Sequence, residues 1–376
     1  MKSPFAPRRR AGAGAVTLAA LLAFLGSAIA AQGSTHHTKL MRIVRTAPTP
    51  GTYTVLVTVK PTSTAQTVTV AVGHQEQTGV SVGPGAPQQL AFFVPLRGRY
   101  HVDEFYTSRK PARLAIASAL QSDTTSPPGP HTNLVWSDEF RGPTGSPPNP
   151  ANWTLDPTNS CGSGTLSQDT TSTANASLSG TGLNITAIQS PPGSPTPASA
   201  AYTSALLDTA THYSFNYGRI EARIWYPPGS GVCSQFWLLQ TATNYDGCDA
   251  PCGEMDVAEI NNRFPNIAWA DLHAPAAGQS AAQVFQSHVT AATPFTGGFH
   301  TYGLIWGPNS VSWTLDGLTY ATATPASLTP AGTPWVFNGL AMRVLLDLAV
   351  GGWAYAPTNS SGFPATMQVA WVRVYQ

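Results

Sequence analysis

Between Tyr53 and Val72 the chain alternates with a period of two. Tyr53, Val55, Val57 and Val59 share one parity against Thr and Leu, and Val68, Val70 and Val72 share one against Thr and Ala. Successive side chains of a strand point to opposite faces, so this pattern predicts half-buried strands. Gly51, Pro61, the Gly83-Pro84-Gly85 cluster and Gly98 punctuate them. A small antiparallel β-sandwich module is expected over 35–120. Residues 121–131 are polar, rich in Pro and without apolar period, which reads as an inter-domain linker. Past it, strand patterns recur at 183–187, 202–207, 218–226, 234–239, 253–260, 302–306, 310–315, 342–350 and 367–375, separated by Gly, Pro, Asn and Ser. Many short strands with few helical patterns predict an all-β chain, with a jelly-roll β-sandwich over 132–376 whose concave face suits a long ligand.

One stretch breaks the apolar pattern. Cys252-Gly253-Glu254-Met255-Asp256-Val257-Ala258-Glu259-Ile260 holds three carboxylates within six positions, in a chain where 10% of residues are charged. On a regular strand Glu254 and Asp256 point together and Glu259, at an odd offset, points away. A β-bulge between Asp256 and Glu259 restores the parity and puts all three on one surface. Glu254 and Glu259 then stand roughly 13 Å apart at their Cα atoms, with side chains able to lean together. Carboxyl groups about 5 Å apart suit glycoside chemistry with retention, one attacking the anomeric carbon while the other protonates the leaving oxygen. The bland alternative for three clustered acids is a solvated strand face.

Composition narrows the setting. The 34 Gly and 33 Pro favour turns and short strands over long helices, and 42% apolar content supplies a core. Residues 1–30 carry a basic start at Arg8-Arg9-Arg10, an apolar run and a small-residue end at Ala28-Ile29-Ala30, the pattern of a cleaved secretory signal peptide. The expectation is a secreted, extracellular protein with no membrane association after cleavage. Formal charge is +1, but Lys2, Arg8, Arg9 and Arg10 leave with the leader, so 15 basic residues face 18 acidic ones, a net of −3. That balance excludes nucleic acid as an electrostatic partner and suits a neutral polymer. All ten Trp lie at or after Trp136, and indoles stack on the apolar faces of sugar rings. Cys161, Cys233, Cys248 and Cys252 allow three disulfide pairings, of which Cys248–Cys252 with Cys161–Cys233 is favoured, and a zinc site at Cys248-x-x-x-Cys252 is the rival. His36 and His37 have no spaced partner and read as a solvated tail. Tyr100, Phe105 and Tyr106 leave the first module open between a carbohydrate-binding role and a structural spacer.

Several blocks occur in order: TNLVWSDEF, YGRIEARIWYPPGSGVCSQFWLL, CGEMDVAEI, ADLHAP, FHTYGLIW, LDLAVGGWA and MQVAWVRVYQ. Over 132–376 the chain resembles glycoside hydrolase family 16, in the laminarinase-like branch with the bulged E-x-D-x-x-E centre. The resemblance implies catalysis by Glu254 as nucleophile, Asp256 as the residue that tunes it, and Glu259 as general acid/base. It implies substrate binding by His273, with Trp237, Trp353 and Arg223 as further cleft residues. The implied function is an endo-acting retaining hydrolase of β-1,3- or mixed β-1,3/1,4-glucan. The alternatives are the same chemistry on a β-galactan, transglycosylation, or glycan binding without turnover. A polysaccharide substrate, a monomer and no catalytic cofactor are expected. No metal site is assigned, since Ala370 stands where the family commonly has an Asp near a structural calcium. The chain departs from the family at Cys233, where a Trp is common, and in the NYDGCDAPCGE segment, which lacks a Trp-Pro. The TNSCGSGTLSQDT region also lacks the family's Asn-rich early loop. Substrate identity is where these departures fall.

Overall fold

A computed structural model describes residues 41–49, 52–59, 65–72, 75–82, 84–85, 87–95, 100–106, 112–116, 131–157, 164–191, 201–241, 253–276, 278–339, 341–358 and 362–376. The expected signal peptide, His36 and His37, nearly all of the linker, and Cys161, Cys248 and Cys252 lie outside the described residues. The first stretch holds β1 (Met41–Thr49), β2 (Thr52–Val59), β3 (Gln66–Val72), β4 (Gln75–Val82), β5 (Gln88–Pro95), β6 (Tyr100–Tyr106) and β7 (Ala112–Ile116). Next come β8 (Leu134–Asp138), β9 (Thr154–Asp156), β10 (Ser167–Asp169), β11 (Ala176–Leu178), β12 (Leu183–Gln189), β13 (Tyr202–Asp208), β14 (Gly218–Trp225) and β15 (Val232–Gln240). The chain continues through β16 (Glu254–Asn261), β17 (Ile267–Ala276), β18 (Gln279–Ala291), β19 (His300–Gly307), β20 (Ser310–Leu315), β21 (Leu318–Ala323), β22 (Met342–Val350) and β23 (Ala365–Tyr375). The only helical pieces among the described residues are 3-10 turns of three residues, and no helix there is long and apolar enough to cross a membrane.

Two ladders face each other. One runs β9-β13-β22-β15-β16-β17-β18, the other β8-β23-β14-β19-β20-β21, and β12 links them by pairing with both β23 and β13. The expected all-β jelly-roll sandwich is what forms. Alternation decides which side chains enter the space between. On β14, Ile220, Ala222 and Ile224 are fully buried, and they meet Phe236, Leu238, Met255 and Leu346 of the opposite ladder in one core. Each of these side chains larger than alanine contributes about 1.5–3 kcal/mol on leaving water.

The first stretch joins this ladder directly. β5 adds to β18 in parallel, Thr290 opposite Leu90 and Ala291 opposite Ala91, and β2 and β1 follow. One parity, Val55, Val57, Val59, Leu90, Phe92 and Val94, packs on Val70, Val72 and Val80 as a core of its own. The other parity, Leu56 and Ala91, faces the main core. At that junction Asp316 sits in the two-residue hairpin of β20 and β21, with φ 53° followed by Gly317 at φ 77°, the backbone an Asp-Gly turn favours. Its buried carboxylate accepts from Thr54 Oγ1 (2.5 Å) and the Thr301 amide (2.8 Å) and contacts His300 Nδ1 (2.9 Å), while the Phe93 ring lies 4.1 Å from the His300 ring. Asp316→Asn keeps the turn and removes the charge. It is expected to cost about 2–3 kcal/mol, read as a lower urea midpoint at unchanged slope. An unchanged midpoint would mean that this junction does not brace the fold.

Candidate active site

β16 lies between β15 and β17. Against β15, Ala258 faces Phe236 and Asp256 faces Trp237, so Val257 has no partner, and against β17 the register slips between Asp256 and Glu259. This is the bulge that the parity of the three acids requires. Val257 and Ala258 both turn into the core, at 1% and 0% exposure, and Glu259 returns to the face shared by Glu254 and Asp256. A bulge frees ladder carbonyls, and core side chains take them up: Trp313 Nε1 donates to Asp256 O (2.6 Å) and Tyr226 Oη to Ala258 O (3.4 Å). Phe285 stacks on Trp313 at 5.3 Å, which holds that indole beneath the acids.

The acids stand in company. His273, opposite Glu254 on β17, places Nε2 3.3 Å from Asp256 Oδ2 and 3.9 Å from Glu254 Oε1. Burial opposes the imidazolium, but the hydrogen bond to Asp256 and the charges of Asp256, Glu254 and Asp271 outweigh it and push His273 up to about 10. It is therefore a cation at neutral pH. Burial, and then the Glu254 and Glu259 charges, raise Asp256 well above the usual carboxylate range, while the hydrogen bond and charge of His273 pull it back. Glu254 is raised by burial and by Glu259, while the His273 charge and a hydrogen bond from Asp256 pull it back towards ionisation.

Two neighbours of Glu259 escaped the sequence reading. Gln235 Nε2 donates to Glu259 Oε1 at 2.5 Å, and Asp271 forms a side-chain hydrogen bond with Glu259. Burial and the Glu259 charge push Asp271 up to about 8. A row crosses the ladder in register: Asp156, Leu206, Asp347, Gln235, Glu259, Trp269 and His288. It lies on the face away from the core, yet Asp347 is fully buried and Glu259 is 8% exposed, so that face is enclosed rather than flat.

The remaining expected cleft residues divide. Trp237 faces Asp256 in register and donates Nε1 to Asp347 Oδ1 at 2.7 Å. Trp353 is 38% exposed, donates Nε1 to Cys233 Sγ (3.0 Å) and meets Trp269 edge-on at 6.2 Å, so it flanks the same row. Cys233 occupies the position where the family commonly has Trp, and it serves as the seat of Trp353. Arg223 does not belong with them. It lies on β14, in the opposite ladder, opposite Thr301 and Trp371. Its neighbours Ala222 and Ile224 enter the core, so it projects outward, with its guanidinium 5.5 Å from the Phe299 ring centre. Arg223 is thus corrected from a cleft residue to one on the far side of the molecule.

The family model for glycosyl hydrolases family 16 matches residues 164–373, more than half of the chain. The chain belongs to that family. It is 30% identical over 274 residues to glucan endo-1,3-beta-glucosidase A1 of Niallia circulans, covering 65% of this chain and 38% of that relative. It is 29% identical over 268 residues to a beta-glucanase of Rhodothermus marinus, covering 69% of this chain and 91% of the relative. Among solved structures, the endo-beta-1,3-glucanase of Pyrococcus furiosus superposes with a TM-score of 0.56 at 30% identity, over 65% of this chain and 94% of that one. The chain thus spans well under half the length of the Niallia relative and nearly all of the Rhodothermus one.

Proposed function

We propose that this protein is an exported, endo-acting, retaining hydrolase of β-1,3- or mixed β-1,3/1,4-glucan. The observation that carries the reading is the bulge that sets Glu254, Asp256 and Glu259 on one enclosed face, with His273 beside the first two. In the first step a Glu254 oxygen attacks the anomeric carbon, the bond to the leaving sugar breaks, and Glu259 gives its proton to the leaving oxygen. In the second, water attacks the same carbon, its proton passes to Glu259, and Glu254 departs as carboxylate. Asp256 accepts from His273 and donates its own proton to Glu254, which favours the ionised nucleophile. The β-1,3-glucan preference follows the names of the relatives, and the neutral polymer follows the sparse charge of the chain. The export follows the N-terminal leader pattern.

The test is incubation with a panel of β-glucans and β-galactans, with NMR of the first-formed anomer. Release of β-anomeric oligosaccharides from laminarin-type or mixed-linkage glucan is expected. Cleavage of galactan alone would move the substrate class, inverted products would sink the two-step mechanism, and absence of any cleavage would leave a glycan-binding protein. A second expectation concerns pH. His273 favours ionised Glu254, so His273→Gln should raise the Glu254 pKa and move the acidic limb of kcat/KM to higher pH by about one unit. A limb that stays in place would show that the imidazolium does not tune the nucleophile.

A further inference from the structure

We propose that Gln235 and Asp271 are positioning residues that hold Glu259 from two sides, and that Glu259 and Asp271 share the one proton that the catalytic cycle gives up and recovers. The proposal rests on the reading of Glu259 as general acid/base.

The geometry comes first. Carboxyl oxygens of Asp256, Glu259 and Asp271 all lie within 4.8 Å of one another, and Asp271 is 2% exposed. A carboxylate only accepts hydrogen bonds, so Glu259 and Asp271 can join across one only while a proton remains between them. Two ionised acids this close and this buried would repel strongly, which is why such pairs titrate in two separated steps. Gln235 supplies the opposite influence. Its amide N–H at 2.5 Å from Oε1 stabilises the ionised form and fixes that oxygen, leaving the other for the proton and the leaving group. The hydrogen bond within the pair lowers Glu259 and raises Asp271, so it is the pair's last proton that the repulsion of two charges retains, while the Gln235 donor favours its release.

The proton count closes over the cycle. With one proton on the pair, the first step passes it to the leaving oxygen and both carboxylates are momentarily ionised. Their repulsion, partly offset by Gln235 and the His273 charge, makes the pair a stronger base towards the incoming water. That water returns one proton in the second step. Among the described residues, the other groups facing this pair are Glu254 and Asp256 on β16, His273 on β17, Gln286 and His288 on β18, Asp347 on β22, and Tyr226 and Tyr320 from below. Their influence is common to the variants compared next.

The two positions should move the alkaline limb of kcat/KM on β-glucan in opposite directions. Asp271→Asn removes the like charge that holds the proton in place, so the acid form is lost earlier and the limb should fall by about one pH unit or more. Gln235→Met removes the donor to ionised Glu259, so the limb should rise. Limbs that do not move, or that move the same way, would overturn the proposal, since a purely structural role lowers activity without that split. Carboxyl-carbon NMR titration of the parent and both variants gives a readout without turnover: loss of the pair's last proton at lower pH in Asp271→Asn and at higher pH in Gln235→Met supports the shared proton, and unchanged titration refutes it. An Asp271→Asn protein that fails to fold leaves the Gln235→Met shift as the deciding measurement. A parent that cleaves no glycan would defeat the function proposed above, while the NMR result would still judge the proton pair.

Discussion

Glu254→Gln is expected to lower kcat on β-glucan by about 10⁴-fold or more, with the fold and glucan binding intact. The size follows from the role. A nucleophile that forms the covalent bond cannot be partly replaced by its neighbours, and removal of such a group in other enzymes costs on this scale. Among the described residues Asp256 is the acid grouped with Glu254, a carboxylate oxygen of each and a His273 ring nitrogen all lying within 4.8 Å of one another. It is buried at 1% exposure and its proton affinity is raised by that burial, so it is a poor substitute. Gln keeps the volume and the ability to accept from Asp256, so the enclosed face should not rearrange. The measurements are kcat for glucan cleavage, a mass shift for trapped glycosyl-enzyme, and Kd for a non-cleaved oligosaccharide. Residual turnover within tenfold of the parent would remove Glu254 from the nucleophile role and turn attention to Asp256.

How far the sequence revealed this arrangement depended on whether alternation survived. The bulge was legible because three acids at offsets of two and three make chemical sense only if one residue is unpaired, and Val257 is that residue. β17 and β18 were harder to delimit. Their core positions include Ala268, Ala270, Ala274 and Ala282, small residues that weaken the apolar pattern, and register slips at Leu272/His273 and Ala274/Ala276 interrupt it. A signal was nevertheless present, since Trp269, Asp271 and His273 follow one another at steps of two and so share the face that carries the acids. Gln235 was hidden differently. All nine residues of β15 are buried, so neither face stands out and parity gives no guidance. Arg223 shows the reverse error: its parity is clear, but which ladder β14 joins is a matter of long-range pairing. The first stretch carried a similar clue, as Leu56 and Ala91 are apolar between apolar neighbours, marking β2 and β5 as covered on both faces. What covers the second face, the main core reached through β18, depends on a pairing 200 residues distant in sequence, Leu90 with Thr290.

Glu259→Ala should lower kcat on natural glucan by about 10²–10⁴-fold, the usual worth of general acid–base catalysis, and should spare the first step on aryl glycosides with good leaving groups. A sugar alkoxide is too basic to depart unprotonated, whereas a nitrophenolate departs without help. The second step still needs a base to take the water proton, so the variant should accumulate glycosyl-enzyme on the aryl substrate and show a burst of phenolate followed by slow turnover. Azide, which attacks without losing a proton, should restore that slow phase and yield a β-glycosyl azide. Asp271 offers the competing outcome, because it is buried beside Glu259 and is pushed up to about 8, a proton affinity suited to an acid. Were Asp271 itself the proton donor, Glu259→Ala would leave glucan cleavage within about tenfold of the parent and Asp271→Asn would abolish it. The geometry favours Glu259, which follows the bulge on the same strand as the nucleophile and is oriented by the Gln235 amide. Asp271 lies one strand further on, opposite Asp256, and is 2% exposed. Equal losses on glucan and aryl glycoside, without burst or azide rescue, would therefore remove Glu259 from the acid/base role.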